Sequence, residues 1–365
     1  MFKQFGSIYL ILGTCIAAGM LGLPIVTAEF HFTLTAMMLV SSWIIMTIGA
    51  WCLLQVNMQM PRHANFISMS QATLGNTFKI ITWIVYLLQL YALICAYLAG
   101  SGDLLHTLLH DVHVIIPRWL ATGLATILLG SIVYSGIQAV DITNRFLMSA
   151  KFVVCFVLIG SVIPFSHVSN LAQGDWHVSP SAWLVIITSF GYASILPSIR
   201  DYLDNDRKKI MRVFFISSVI PIILYFVWIV VIQGALSRFG AHSLSAMNNS
   251  PNTNSLLMHA MTSLTHHDIV KSIGIFFISI CAITGFLSVS TSLMDVLTDG
   301  LKRKKHGKDR VLIAILSFLP PMLIVIFDPA IFIRALAAAG VCCLYILVIL
   351  PILMLIGQQM RRKVA

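Results

Sequence analysis

Charge is what this sequence has least of. Asp, Glu, Lys and Arg make up only 10% of its 365 residues, where soluble domains use about 25%. So little charge cannot clothe a water-facing surface, and the balance is 58% hydrophobic residues with a mean hydropathy of +0.92. Paired cysteines are missing as well. Cys15, Cys52, Cys95, Cys155, Cys281, Cys342 and Cys343 all lie inside apolar runs and form no C-x-x-C motif, so they read as small buried hydrophobes. Nor is there an H-E-x-x-H or a G-x-S-x-G, which removes the usual metal and nucleophile signatures of a membrane-embedded enzyme.

What the chain does have is a succession of hydrophobic runs of around 20 residues, each long enough to cross roughly 30 Å of hydrocarbon. They fall near residues 5–28, 33–56, 79–101, 118–135, 143–164, 181–200, 211–235, 268–299, 310–327 and 330–357. The expectation is an all-α integral membrane protein with ten transmembrane helices, one domain over residues 1–365 with no room for a sizeable soluble module. The first run is too long and too glycine-broken for a signal-peptide core, and no small-residue cleavage pattern follows it. It is expected to stay in the mature chain.

Ten spans put both termini on one side, and the charges choose the side. With the N-terminus inside, 19 of the 23 Lys and Arg residues fall in inside segments, including Lys79, Lys151 and the loop KRKKHGKDR at 302–310. Only Arg118, Arg238, Lys271 and Arg334 fall outside. That bias follows the positive-inside rule and predicts cytoplasmic termini. The net charge of +10 is then a consequence of topology and not a nucleic-acid surface.

The first run is a poor helix on paper. Its stretch GTCIAAGMLGLP, Gly13 to Pro24, holds three glycines and a proline, residues that weaken or break the i→i−4 ladder. The sixth run echoes it, with Gly191-Tyr-Ala-Ser-Ile-Leu-Pro197 lying against Ala18-Gly-Met-Leu-Gly-Leu-Pro24. Five spans per half make any such repeat inverted, and unwound backbone in corresponding positions of two halves marks a substrate site near the midplane. The alternative is a pair of kinked but continuous helices, since Gly and Pro are common in membrane helices.

Taken with YALICAYLAGSGDLL in the third run, NRFLMSAK at the fifth and FLPP in the ninth, these two motifs make the sequence resemble the bacterial aromatic amino acid permeases over essentially its whole length. Those are tyrosine- and tryptophan-specific proton symporters of the amino acid, polyamine and organocation superfamily. The resemblance implies a five-plus-five inverted-repeat transporter of the bacterial inner membrane, with repeat one at about 5–164 and repeat two at about 181–357. Spans 1 and 6 would be broken around an amino acid substrate, and no cofactor would be needed. Members commonly carry an eleventh span, whereas this sequence ends on GQQMRRKVA.

A zwitterionic amino acid needs donors for its carboxylate and acceptors for its ammonium. Free N–H groups at the start of a half-helix suit the first, and Ala18, Gly19, Met20 and Leu21 are assigned to it by their backbone. Carbonyls of the broken segments, at Gly13, Thr14 and Phe190, suit the second. Phe190 and Tyr192 of span 6 with Gln89 and Tyr91 of span 3 are candidates for an aromatic side-chain pocket. Ordinary helix packing is the alternative for the last two.

Coupling needs an ion site. In the eighth run Thr284, Ser288, Thr291 and Asp295 recur at +4, +3 and +4 with Ser292 alongside, a polar stripe that must face the protein interior. Lys151, eight residues into span 5, is the other intramembrane ionisable group, and such groups are functional candidates by default. Related sodium-coupled transporters hold a cation between spans 1 and 8. The resemblance therefore suggests that the Lys151 ammonium takes that place when protonated, so that a proton replaces sodium; the hydroxyl stripe keeps sodium coupling open as the alternative. Asp103, His106, His110 and His113 share one helical face, which reads as a solvated amphipathic surface and not as a metal site. A channel is disfavoured, because two closed breaks do not make an open lining.

Overall fold

The computed structural model describes residues 2–61, 64–240, 243–265, 268–303 and 307–364, and within them the chain is helical apart from one isolated bridge pairing Phe30 with Asp175. Lipid offers no partners to backbone N–H and C=O groups, so apolar runs of this length close their hydrogen bonds internally. In chain order the helices are α1 (Phe2–Cys15), α2 (Ala18–Val26), α3 (Phe32–Met58), α4 (Phe66–Leu74), α5 (Asn76–Asp111) and α6 (Arg118–Ser135). Next come α7 (Ile137–Val162), α8 (Val168–Leu171), α9 (Pro180–Ser189), α10 (Leu196–Tyr202), α11 (Arg207–Ala235) and α12 (Leu244–Met247). The series ends with α13 (Thr253–Thr265), α14 (Asp268–Gly300), α15 (Gly307–Phe327), α16 (Phe332–Leu344) and α17 (Leu350–Val364).

Helix starts are set by capping residues in the short loops. Asn65 and Ser68 form a reciprocal capping box at α4, and the Asp206 carboxylate accepts the N–H groups of Lys208 and Lys209 at α11, each satisfying donors that a helix start leaves unpaired. The hydrogen bond from the Lys209 ammonium holds Asp206 below the ordinary carboxylate range.

Eight helical segments are long and apolar enough to cross a membrane, nine when the bent pair α1 and α2 counts as one, among the described residues. This is a multi-pass membrane protein. The sequence expectation of ten included residues 118–135, and that segment is the helix α6. It stands apart because its 18 residues make only about 27 Å of helix and carry Arg118, two glycines and several Ser and Thr. Large apolar side chains face outward along the bundle, including Ile127, Phe146, Val153, Phe156, Phe215 and Ile223, the surface expected of a body solvated by lipid tails and not by water.

Two of the expected spans are interrupted. Between α1 and α2 the chain bends by 46°, with Ala17 extended at φ −145°, ψ −165°. Between α9 and α10 it tightens into a 3-10 stretch, Gly191–Ile195. The first break falls within the Gly13–Pro24 stretch but ahead of Gly19, Gly22 and Pro24, which lie inside α2, and Pro24 is not the residue that keeps the backbone open.

Each end of the bundle is pinned by a buried arginine. At the end that carries the N-terminus, Arg200 donates to the carbonyls of Asn57 and Met60 and to Asn205 Oδ1. At the far end Arg238, 2% exposed, donates to the carbonyls of Ala28, Phe30, Asn170 and Gln173. It thereby ties the end of α2 to the loop after α7. Also at the far end, Ser255 at the start of α13 donates its N–H and hydroxyl to the two carboxylate oxygens of Asp103, both at 2.9 Å. That carboxylate is engaged in docking a helix, and no group of three or more His, Cys, Asp or Glu converges as a metal site among the described residues. An Arg238→Leu variant strands several buried carbonyls at once. It is expected to lose on the order of 3 kcal/mol of stability, read as a lowered melting temperature of the purified protein in detergent, with Arg238→Lys recovering only part.

Candidate functional site

The break between α1 and α2 leaves the carbonyls at the end of α1 without helical partners, and two buried side chains supply them. Lys151, on α7 and 1% exposed, donates from Nζ to the carbonyls of Gly13 at 3.2 Å and Ile16 at 2.8 Å. Tyr225, on α11 and fully buried, places its hydroxyl 2.9 Å from the carbonyl of Cys15 and 2.6 Å from that of Ser189. One phenolic proton is shared between the broken backbone after α1 and the last residue of α9. Phe190 meets the Tyr225 ring edge-on, centroids 5.0 Å apart, and so holds that hydroxyl in place.

The two breaks also touch directly. A Cβ added at Gly19 would stand 2.7 Å from Ser189 Oγ and 3.0 Å from Ser189 Cα, so only glycine lets α2 come this close to the end of α9. The first-turn N–H groups of Ala18, Gly19 and Met20 have no partner within α2, whereas that of Leu21 bonds the Ala17 carbonyl.

Beside this junction lies a cavity of about 930 Å³. It runs from Gly13, Thr14, Ala17, Gly19, Thr188 and Ser189 along α5 and α14 to the exposed Lys79, Asp299 and Lys302 at the N-terminal end. Among the described residues, none from the far-end loops lines it. One face of α5 forms a wall through Trp83, Tyr86, Gln89, Leu93 and Tyr97. The Tyr97 ring lies against Gly285 of α14, where any side chain would collide with it. Leu336 and Cys343 of α16 and Met148 of α7 complete the lining near the breaks.

Of the residues expected at the site, Gly13, Thr14, Gly19, Gln89, Ser288, Ser292 and Asp295 line the cavity. Ala18, Met20 and Leu21 are buried in α2. The Gly13 carbonyl accepts from Lys151, which is not itself part of the cavity lining. Phe190 packs on Tyr225, and the Tyr192 hydroxyl pairs with Thr47 Oγ1 at 3.2 Å. Tyr91 points the other way, donating to the Leu316 carbonyl at 2.6 Å. In α14 the hydroxyls of Ser288, Thr291 and Ser292 each donate to the carbonyl four residues back, and Lys151 reaches none of them. Its neighbours on the side away from α1 include the thiols of Cys155 and Cys281.

Tyr97, Leu93, Trp83, Thr188, Leu336 and Tyr225 were not foreseen. The +3/+4 rhythm of Trp83, Tyr86, Leu90, Leu93 and Tyr97 is present in the sequence, yet on a helix that is apolar all round it does not say which face meets a cavity.

A multi-pass helical bundle whose cavity ends on two interrupted helices, reached from one end only, is the arrangement of a membrane transport protein. The chain belongs to the tryptophan/tyrosine permease family, whose model matches residues 2–365. It is 31% identical to tyrosine-specific transport system 2 of Haemophilus influenzae over 96% of this chain and 86% of that protein. Tyrosine-specific transport system 1 of the same organism is 30% identical over 96% of this chain and 87% of that one. The tryptophan-specific transport protein of Pseudomonas aeruginosa is 25% identical over 98% and 86%. These relatives are transport proteins, not enzymes.

Removing the Tyr225 hydroxyl takes a donor from the buried Ser189 carbonyl and leaves that of Cys15 to the Ala17 N–H, while the ring keeps its contact with Phe190. Tyr225→Phe is therefore expected to cost about 1–3 kcal/mol, measured as a fall in thermal stability without loss of expression in the membrane.

Proposed function

We propose that this protein imports an aromatic amino acid, tyrosine foremost, by proton symport through alternating access, from a bacterial inner membrane in which both termini are cytoplasmic. The observation that carries the reading is the meeting of the two breaks at Gly19 and Ser189 beside a cavity walled by Tyr97, Leu93, Gln89 and Leu336. It is supported by the family of the chain and by the higher identity to the tyrosine-specific relatives than to the tryptophan-specific one. In this reading the ten helical runs form two inverted halves, about 5–164 and 181–357, with α6 as the fourth span.

The substrate carboxylate is taken by the first-turn N–H groups of α2 around Gly19, where the helix dipole favours an anion. The ring lies among Tyr97, Leu93 and Leu336, in edge or face contacts worth about 0.5–1.5 kcal/mol each. Because Lys151 occupies the Gly13 carbonyl, the ammonium is left to carbonyls of the second break and to Thr14. The cavity opens toward the end bearing Lys79 and Lys302, which by the positive-inside rule is the cytoplasm, so the molecule stands ready for release.

Coupling falls to Lys151. Its protonated ammonium holds the carbonyls of Gly13 and Ile16 and so fixes the half-helix that carries the carboxylate site. Loss of the proton weakens two charge-assisted hydrogen bonds and frees the break to move. Sodium coupling through the oxygens of Ser288, Ser292 and Asp295 along the cavity is the second reading. Lys151→Gln is expected to abolish accumulation driven by an acid-outside pH gradient while retaining exchange of substrate across the membrane at equal pH; full gradient-driven accumulation in the variant would refute the role. Replacing sodium with choline should leave wild-type uptake unchanged. In competition with labelled tyrosine, the aromatic members of the twenty amino acids should displace most strongly.

A further inference from the structure

We propose that Gln89 reads the ring hydroxyl of the substrate, so that the site selects a para-hydroxylated aromatic amino acid over one with a bare ring. This rests on the aromatic-substrate reading above and adds to it the residue that discriminates. Gln89 lines the cavity yet is only 5% exposed. Its Nε2 donates to the sulfur of Cys343 at 3.0 Å, a weak acceptor, and its Oε1 accepts no hydrogen bond. Buried polar side-chain atoms nearly always have a partner. Among the described residues, Gln89 is the only cavity-lining residue with a buried side-chain oxygen or nitrogen that lacks one.

The amide sits in a mostly apolar part of the wall. Leu90, Leu93 and Leu336 are apolar, and the Thr188 hydroxyl is already committed to the carbonyls of Leu184 and Leu336. A ligand entering this wall meets a buried polar side chain with an unanswered oxygen, the kind of group that fixes orientation in small-molecule sites. Whichever end of the amide is turned toward the ligand, a phenol answers it, because a hydroxyl both donates and accepts. An indole N–H can only donate. A phenyl ring does neither and leaves the amide desolvated and unpaired, which is how a site built to bond a hydroxyl rejects the analogue without one.

Equilibrium binding to the purified full-length protein tests this with L-tyrosine and 4-methyl-L-phenylalanine, ligands of similar shape that differ in the hydroxyl. Wild type is expected to bind tyrosine about tenfold more tightly. Gln89→Met should bring that ratio close to one from both sides, weakening tyrosine and strengthening 4-methylphenylalanine, which no longer buries an unpaired amide. Equal affinities in wild type overturn the inference without any variant, and so does a tyrosine preference that survives in Gln89→Met. If wild type binds neither ligand but does bind a non-aromatic amino acid, the aromatic-substrate reading itself has failed and takes this inference with it.

Discussion

The structure depends on how a chain can be left unwound at membrane depth. Between α1 and α2 the i→i−4 ladder stops, and in hydrocarbon each carbonyl it abandons costs several kcal/mol unless something donates to it. Lys151 and Tyr225 are that something. The one supplies a charge to the carbonyls of Gly13 and Ile16, the other a hydroxyl shared by those of Cys15 and Ser189. Because both donors come from other helices, the broken helix is held open by tertiary contacts, and the second break is registered against the first through a single phenol.

Once the carbonyl side is satisfied from behind, the site is left with the complementary half of the backbone. The first turn of α2 keeps its N–H groups unpaired within the helix, and Gly19 lets it approach Ser189 of the other break. Everything else around the cavity follows from helices that are apolar all round having to choose a face. The face of α5 that carries Gln89, Leu93 and Tyr97 meets the cavity because Gly285 makes room for the Tyr97 ring. The stripe on α14 lines the cavity's path to the N-terminal end, its hydroxyls donating back to their own helix while Asn144 Nδ2 donates to Ser288 Oγ.

The two ends of the bundle use the same device for a different purpose. Arg200 and Arg238 are buried cations that each gather backbone carbonyls at the close of a helix or in a neighbouring loop. A planar guanidinium with five N–H groups serves carbonyls of separate segments in fixed directions, where the three donors of a lysine reach fewer. At the far end Asp103 plays the opposite part, accepting the start of α13. The far end is tied down by these contacts, while the cavity opens at the N-terminal end.

Much of this was legible in the sequence, and the limits have physical causes. Hydropathy located the long apolar helices, because lipid forces apolar runs into helices whatever their neighbours, but not the short α4, α8, α12 and α13; the stretches Gly13 to Pro24 and Gly191 to Pro197 contain the two interruptions, although Gly19, Gly22 and Pro24 themselves stay helical. Lys151 stood out because charge is rare at that depth. What the sequence could not determine was direction. Tyr91 and Tyr97 lie on the same helix in equally apolar company, and only packing sends one to the Leu316 carbonyl and the other to the cavity. Phe190 beside the break looked like a ligand contact and is instead the support of Tyr225. That Tyr225, far along the chain and unremarkable in its own run, completes the break in α1 follows from contacts between residues 210 positions apart. Composition and local propensity thus settled what each segment is, whereas the partner of each unpaired group was decided by the tertiary structure, since a hydrogen bond needs two ends and the sequence displays them one at a time.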